Sequence, residues 1–401
     1  MRRTLGILNL ALAAAITLAS SAWSAPAGAP IRIGGTLALT GPLAQTGIVH
    51  KIAGEVYVEY LNKRNGLLGR PVEYVLRDDQ SRPDLARTLY EQLVTVDKVD
   101  LLIGPYATGA ILSAMAVAQR YNKVLLHSTM GLPDLAKYDM QFSTSGGTAD
   151  INVTWPTLIF DAVAMAPKPP KTVAFVTSKF PSTHFVTAGA RELAKKRGLQ
   201  EVLYLEYDFG NRDFGPIANR IKEAKADLVF AGAIGLDGNL LLDAMKKIDY
   251  LPPMHSYLFP SSAPLAVLPE GRNALALTSF EEHPPFTTRP GAPELLPLYR
   301  LRAVRANLPD ANVDLQAANG MATWQVLDAA VHGTKGLNDK AIAQWLKKNS
   351  VDAINGTLRW DGRNNFSSTE LFKVRQVQNG RWVVIWPREF AAPGTKLIGP
   401  T

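Results

Sequence analysis

V-D-L-L-I-G-P-Y-A-T-G-A-I-L-S-A-M-A-V-A-Q-R-Y-N-K-V-L-L-H-S-T-M-G, residues 99–131, decides the fold. Its apolar run 101–103 stops at Gly104-Pro105, as a buried strand does. Thr108 stands where an N-cap hydroxyl is wanted, ahead of a segment that puts Ile111, Leu112, Met115 and Ala118 on one face; that pattern predicts a helix. The run 124–126 predicts a second strand, released into Ser128, Thr129 and Gly131. Two parallel strands joined by a helix end at the same sheet edge, and each frees hydroxyls and backbone N–H groups there. Unpaired N–H donors at a helix start, with the positive end of its dipole, attract a carboxylate. Open α/β sheets bind ligands outside the carboxyl ends of their strands. Thr108, Ser128 and Thr129 are therefore candidates for holding a small anion. Cap and turn duty alone would explain the same three residues.

Outward from this unit the pattern repeats. The 401 residues exceed one ordinary domain. Strands are expected at 31–37 and 72–76, with a helix over Ile48, Ile52, Val56 and Tyr60 and another from Pro83 carrying Leu85, Leu89, Leu93 and Val96 inward. Asp78 and Asp79 are expected to close the second strand and bond to its turn. After F-S-T-S-G-G (142–147) a second set begins. Helices at 151–165, 183–197, 214–225 and 236–248 alternate with strands at 172–177, 202–205, 227–231 and 254–258. Such alternation calls for parallel sheets with helices on both faces. From 274 the pattern changes to one strand, a proline-dense loop, and helices at 294–307, 315–331 and 340–348. Strands at 370–377 and 382–386 close the chain, joined at Q-N-G, a strong hairpin signal. The three late helices have no strands between them, so they must dock on a sheet already built, that of the first lobe.

The N-terminus reads M-R-R, then an apolar run over 5–18 and small residues to 29, the order of a secretory signal peptide. Residues 1–27 are assigned to signal peptide and leader, with cleavage after Ser24 or Ala27. The absence of cysteine excludes a disulfide framework and a lipid-modified N-terminal cysteine, so a freely diffusing periplasmic protein is expected. The formal charge of +8 drops by two once Arg2 and Arg3 leave, and the basic residues are scattered, so no nucleic-acid partner is expected. The six histidines are far apart and no metal spacing exists. G-P-Y-A-T-G lacks the Lys and Ser/Thr of a phosphate loop, and G-x-S-x-G is absent. Neither a metal, a cofactor nor an enzymatic activity is expected.

I-R-I-G-G-T-L-A-L-T-G-P-L-A-Q-T-G (31–47), N-G-L-L-G-R-P-V-E (65–73), R-D-D-Q-S-R-P-D (77–84), V-D-L-L-I-G-P (99–105) and G-T-L-R-W-D (356–361) share an order and spacing. In these the chain resembles, over nearly all its mature length, the leucine/isoleucine/valine-binding family of ABC-transporter periplasmic solute-binding proteins. The resemblance implies an α/β fold, the type I periplasmic binding protein fold: two Rossmann-like lobes with parallel-sheet cores joined by three crossovers. The lobes would be 30–145 plus 277–358 and 146–276 plus 366–390, with crossovers near 142–147, 274–279 and 356–365 and a ligand cleft that closes by hinge motion. A monomer is expected.

In that family the first lobe holds the ligand's carboxylate in two strand-end loops, which match Tyr106, Ala107 and Thr108, and Ser128, Thr129 and Gly131. Gln45 and Thr46 would line the same mouth, Thr46 standing where an aromatic is common. The second lobe would contribute Phe180, His184, Ala233, Ile234, Tyr257 and Phe259. Core packing would account for Phe180 and Phe259 equally well. Where an acid for an amino acid's ammonium is expected, the chain has Y-L-F-P-S-S (257–262). A buried cation without a partner is costly. The implied ligand is a carboxylate with an apolar or aromatic body, or an amino acid whose ammonium uses Asp237 or another unplaced acid. The implied role is the periplasmic solute-binding component of an ABC importer, handing its ligand to an inner-membrane permease. A receptor's ligand-sensing domain and a hydrolytic enzyme working in the cleft are the alternatives.

Overall fold

A computed structural model describes residues 25–260 and 262–400. The expected signal peptide and Ser261 lie outside the described residues. The first lobe starts with β1 (Ile31–Leu37), α1 (Ala44–Lys63), β2 (Val72–Asp78), α2 (Pro83–Thr95), β3 (Leu101–Ile103), α3 (Thr108–Tyr121), β4 (Leu125–His127) and β5 (Gln141–Ser143). Its strands are all parallel, in the order β2-β1-β3-β4-β5.

The chain then builds a second sheet through α4 (Ile151–Ala164), β6 (Thr172–Ser178), α5 (Pro181–Lys196), β7 (Gln200–Tyr207), α6 (Gly215–Ala224), β8 (Leu228–Gly235), α7 (Asp237–Lys247), β9 (Met254–Pro260), α8 (Ser262–Val267) and β10 (Leu275–Thr278). It returns to the first lobe for α9 (Ala292–Arg305), α10 (Leu315–Thr334), α11 (Asp339–Leu346) and the short hairpin of β11 (Val351–Ala353) and β12 (Gly356–Leu358). A last passage adds β13 (Lys373–Gln378) and β14 (Arg381–Trp386), completing the order β14-β13-β10-β9-β8-β6-β7. The chain thus passes between the sheets three times, after β5, after β10 and after β12. β13 runs antiparallel to β10, and its turn into β14 takes positive φ at Asn379 (51°) and Gly380 (74°), as a two-residue hairpin turn requires.

Each sheet carries helices on both faces, and its central strands, such as β3 and β8, are buried on both, whereas the edge strands β2, β7 and β14 are partly exposed. The expected docking of the late helices on the first lobe is what the structure shows. Leu296 of α9, Trp324 of α10 and Ile342 of α11 share one core with Ile33 and Ile103, and burying each such side chain contributes about 1.5–3 kcal/mol. On the other face, Ile111 and Met115 of α3 pack with Tyr90 and Leu93 of α2.

Three local expectations need correction. The inward face of α2 is Ala86, Tyr90 and Leu93, while Val96 is 72% exposed. Of the expected ladder Leu93 is fully buried as read, but Leu85 and Leu89 are only half-buried and lie one step around the helix from the side that the sheet buries. The tyrosine was the better guide, because its hydroxyl reaches across the sheet to donate to the Ile103 carbonyl at 2.5 Å. Second, Thr108 is not an N-cap. Ala107 holds that position at φ 73°, and Thr108 is the first helical residue with its hydroxyl committed elsewhere. Third, α8 intervenes between β9 and β10, where the sequence reading has no element. Asp78 and Asp79 do serve their turn: Asp78 Oδ1 accepts from Leu39 and Gln80 N–H, and buried Asp79 accepts from the Thr36 hydroxyl. Burial pushes the Asp79 carboxyl up to about 6 despite that bond.

Candidate ligand-binding cleft

The two loops named from residues 99–131 are tied to each other. Thr108 Oγ1 accepts from Gly131 N–H at 2.8 Å, and Thr129 Oγ1 accepts from Ala107 N–H at 3.0 Å. Each bond runs from the loop after one strand to the loop after the other, so neither loop can shift alone. A hydroxyl oxygen that already accepts a backbone proton has its own O–H left to give. Among the described residues neither threonine nor Ser128 donates to a protein acceptor. Three hydroxyl donors therefore stand at the N-terminus of α3, whose first N–H groups and dipole favour an anion.

These residues form one wall of a cavity of about 50 Å³ between the lobes, room for roughly four waters at ~10–15 Å³ each. The facing wall is apolar. Phe180, Ile234, Leu258 and Phe259, from the loop after β6, β8 and β9, stand beside Trp155 of α4 and Phe372. Trp155 packs edge-on against Phe259 (5.4 Å between ring centroids) and tilted against Phe372 (4.8 Å). The lips are closed by contact across the gap: Leu37, Leu43, Tyr106 and Ala107 of the first lobe share an apolar cluster with Ile234, Phe180, Phe209 and Phe259 of the second. A Cβ added at Gly131 would overlap Ser182 of α5, so the two lobes meet tightly at this glycine.

Nine of the fourteen residues named from the sequence line the cavity: Tyr106, Ala107, Thr108, Ser128, Thr129, Gly131, Phe180, Ile234 and Phe259. The other five do not. Tyr257 is on the opposite face of β9, buried in the core and bonded to His255 at 3.0 Å, because successive strand residues alternate sides. Ala233 is in the same core; a register shift between Ala231 and Ile234 delivers its neighbour to the cleft instead. His184 is on the outer surface, paired with Glu206 at 2.8 Å. Thr46 is buried in the first turn of α1 and does not line the cavity, and burial pushes the Tyr106 hydroxyl up to about 12. Gln45 is half-buried in the first turn of α1. Asp237 accepts from the Tyr207 hydroxyl at 3.1 Å and does not line the cavity.

The sequence reading missed Trp155, Phe372, Ser182 and the α10 residues Gln316 and Asn319. A signal for the last two was present: polar residues three apart in the otherwise apolar L-Q-A-A-N-G-M-A must face something polar. Gln316 Oε1 bonds His50 Nε2 at 3.0 Å, and burial holds the His50 ring below its ordinary value, so it is neutral at neutral pH. No Asp, Glu, Lys, Arg or His is among the described residues lining the cavity. Glu370 is behind it, its carboxyl accepting from Phe372 N–H and the Thr154 hydroxyl, both at 2.9 Å, and raised by burial. Among the described residues no group of three or more His, Asp and Glu could hold a metal, and no helix is long and apolar enough to cross a membrane.

Comparison with known proteins agrees with this architecture. The chain is 28% identical over 235 residues to Leu/Ile/Val-binding protein homolog 3 of Brucella melitensis, a match covering 58% of this chain and 61% of that protein. Among solved structures, the branched-chain amino acid transporter substrate-binding protein of Streptococcus pneumoniae in complex with isoleucine superposes with a TM-score of 0.74 at 19% identity, covering 93% of this chain and 100% of that one. A solute-binding protein of an ABC transporter from R. palustris in complex with benzoate gives 0.72 at 19% identity, covering 89% and 95%. The family model described as periplasmic binding protein matches residues 30–381, and the chain belongs to that family.

Proposed function

We propose that this protein is the solute-binding component of an ABC importer and that its ligand is a small carboxylate with an apolar or aromatic body and no ammonium group. The lining of the cavity carries this reading. One wall offers hydroxyl and backbone donors at a helix N-terminus, the other offers aromatic rings, and no acidic side chain is among the described residues between them. An ammonium brought into such a space would lose its water without gaining a counter-charge. The relatives include an isoleucine complex and a benzoate complex, so the fold accommodates both chemistries and the lining has to discriminate. A ring carboxylate is larger than the cavity of about 50 Å³, so on this reading the lobes part by hinge motion to admit it. It then bridges both walls and favours the closed form, and the closed form is what a permease reads.

Thermal unfolding in the presence of benzoate and of leucine tests this. Benzoate is expected to raise the melting temperature in proportion to the logarithm of its concentration, and leucine to leave it unchanged. A second reading, an amino-acid ligand, rests on Glu370, the acid behind Phe372. Under it leucine stabilises the protein and Glu370→Gln abolishes that effect; under the carboxylate reading Glu370→Gln leaves benzoate binding in place. A hydrolytic role would need a base beside Thr108, whose hydroxyl oxygen instead accepts from Gly131.

A further inference from the structure

Trp155 lines the cavity and is only 7% exposed, yet its indole N–H meets no acceptor among the described residues. Buried indole N–H groups normally have a partner, because the desolvated donor is otherwise left uncompensated. The ring is held between Phe259 and Phe372, so it cannot turn to find one. A second donor comes from α10. Asn319 Oδ1 accepts from Ser279 Oγ at 3.0 Å and from Asn355 Nδ2 at 2.9 Å, which leaves the Asn319 amide nitrogen as its only free group, with no acceptor among the described residues. One turn earlier Gln316 is arranged alike, its amide oxygen bonded to His50. Leu315, at the start of α10, belongs to the same apolar cluster as Trp155, and Trp155 and Asn319 line one cavity.

We infer that Trp155 and Asn319 form a second polar subsite, separate from the carboxylate loops, which reads an acceptor oxygen on the body of the ligand. The inference rests on the carboxylate reading above and narrows it: the ligand class is ring carboxylates bearing a hydroxyl, ether or keto oxygen. All the groups offered there are donors, so an amine would find nothing to accept its protons. All are neutral, so a second carboxylate would enter without a counter-charge. A bare hydrocarbon ring would leave the indole N–H unpaired.

The test is calorimetric titration of the full chain with benzoate, the three monohydroxybenzoates and the three methylbenzoates, a hydroxyl and a methyl being of similar size. At one ring position the hydroxy compound is expected to bind roughly tenfold tighter than its methyl counterpart, the fold-change of one neutral hydrogen bond to an otherwise unpaired donor. In Trp155→Phe that ratio collapses below about threefold, whatever the variant does to the affinity for benzoate itself, because the ratio cancels losses common to both compounds. Solvent exchange of the Trp155 indole proton in the wild-type protein gives a readout that does not depend on the variant folding: it slows with the preferred hydroxybenzoate and not with the methyl compound. Equal binding of hydroxy and methyl compounds at every position, or a preference that survives in Trp155→Phe, overturns the subsite and leaves the carboxylate reading standing. Failure of all seven compounds to bind overturns the carboxylate reading and the subsite with it.

Discussion

The two walls of the cleft are made in different ways. The anion-facing part of the first-lobe wall comes from 26 consecutive residues, Tyr106 to Gly131, in which two strand-end loops exchange hydrogen bonds and present hydroxyls at a helix start, with α10 adding Gln316 and Asn319 beside it. The second-lobe wall is assembled from α4, the loop after β6, β8, β9 and the segment before β13, elements spread over more than two hundred residues. A carboxylate has one shape, so a pre-tied wall can hold it with main-chain groups and short side chains. An apolar body varies in size and outline, and a wall made of side chains from separate elements can be refitted one residue at a time without disturbing the anion grip.

The sharpest way to break this contrast is to keep the walls apart. Gly131→Ala places a methyl group against Ser182, and is expected to weaken benzoate binding by about 3 kcal/mol, the upper range for overpacking a tight contact. Adding Ser182→Gly should restore most of the affinity, measured by calorimetry. Without that rescue, Gly131 would not be the point where closure is limited. Thr108→Ala removes both the tie to Gly131 and an O–H donor, and is expected to cost about 2 kcal/mol, within the range for a hydrogen bond to a charged group. Thr108→Ser should keep the affinity, and an Ala variant as tight as wild type would return Thr108 to a purely local role. On the opposite wall, Phe259→Leu is expected to cost about 1 kcal/mol for benzoate, the value of an aromatic contact beyond its area, and to leave a short aliphatic carboxylate unaffected. An equal loss for both ligands would mean that the substitution disturbs Trp155 and not the ligand. His184→Ala should change affinity by less than about 0.5 kcal/mol, as exposed positions do; a larger effect would place the outer end of α5 in ligand recognition.

The same contrast explains how much could be read in advance. Thr108, Ser128, Thr129 and Gly131 all line the cavity because local rules, strand end followed by helix start, apply within one short stretch. Tyr257 was named and Leu258 was not, and the cavity is lined by the second. Which of two neighbouring strand residues faces a cleft depends on register, and the shift between β8 and β9 has no mark in the sequence. Trp155 and Phe372, 217 residues apart, meet only because β13 joins β10 antiparallel after the third passage between lobes. The α2 face shows the limit in a helix: the leucine spacing was regular, but the sheet buried Ala86, Tyr90 and Leu93.

By itself the sequence determined the alternation of strands and helices in two α/β lobes and the stretch 106–131 that lines the cleft, since both follow from short-range periodicity and turn chemistry, while the three passages between lobes came from the resemblance to the family. Only the tertiary structure decided which rings face the cavity, that no acidic side chain among the described residues does, that the Trp155 indole N–H is left without a partner among them, and that Asn319 spends its amide oxygen on Ser279 and Asn355. The physical reason is distance along the chain: backbone hydrogen bonding acts between neighbours and leaves its trace in the order of residues, whereas the composition of a cleft is set by which remote surfaces packing brings together.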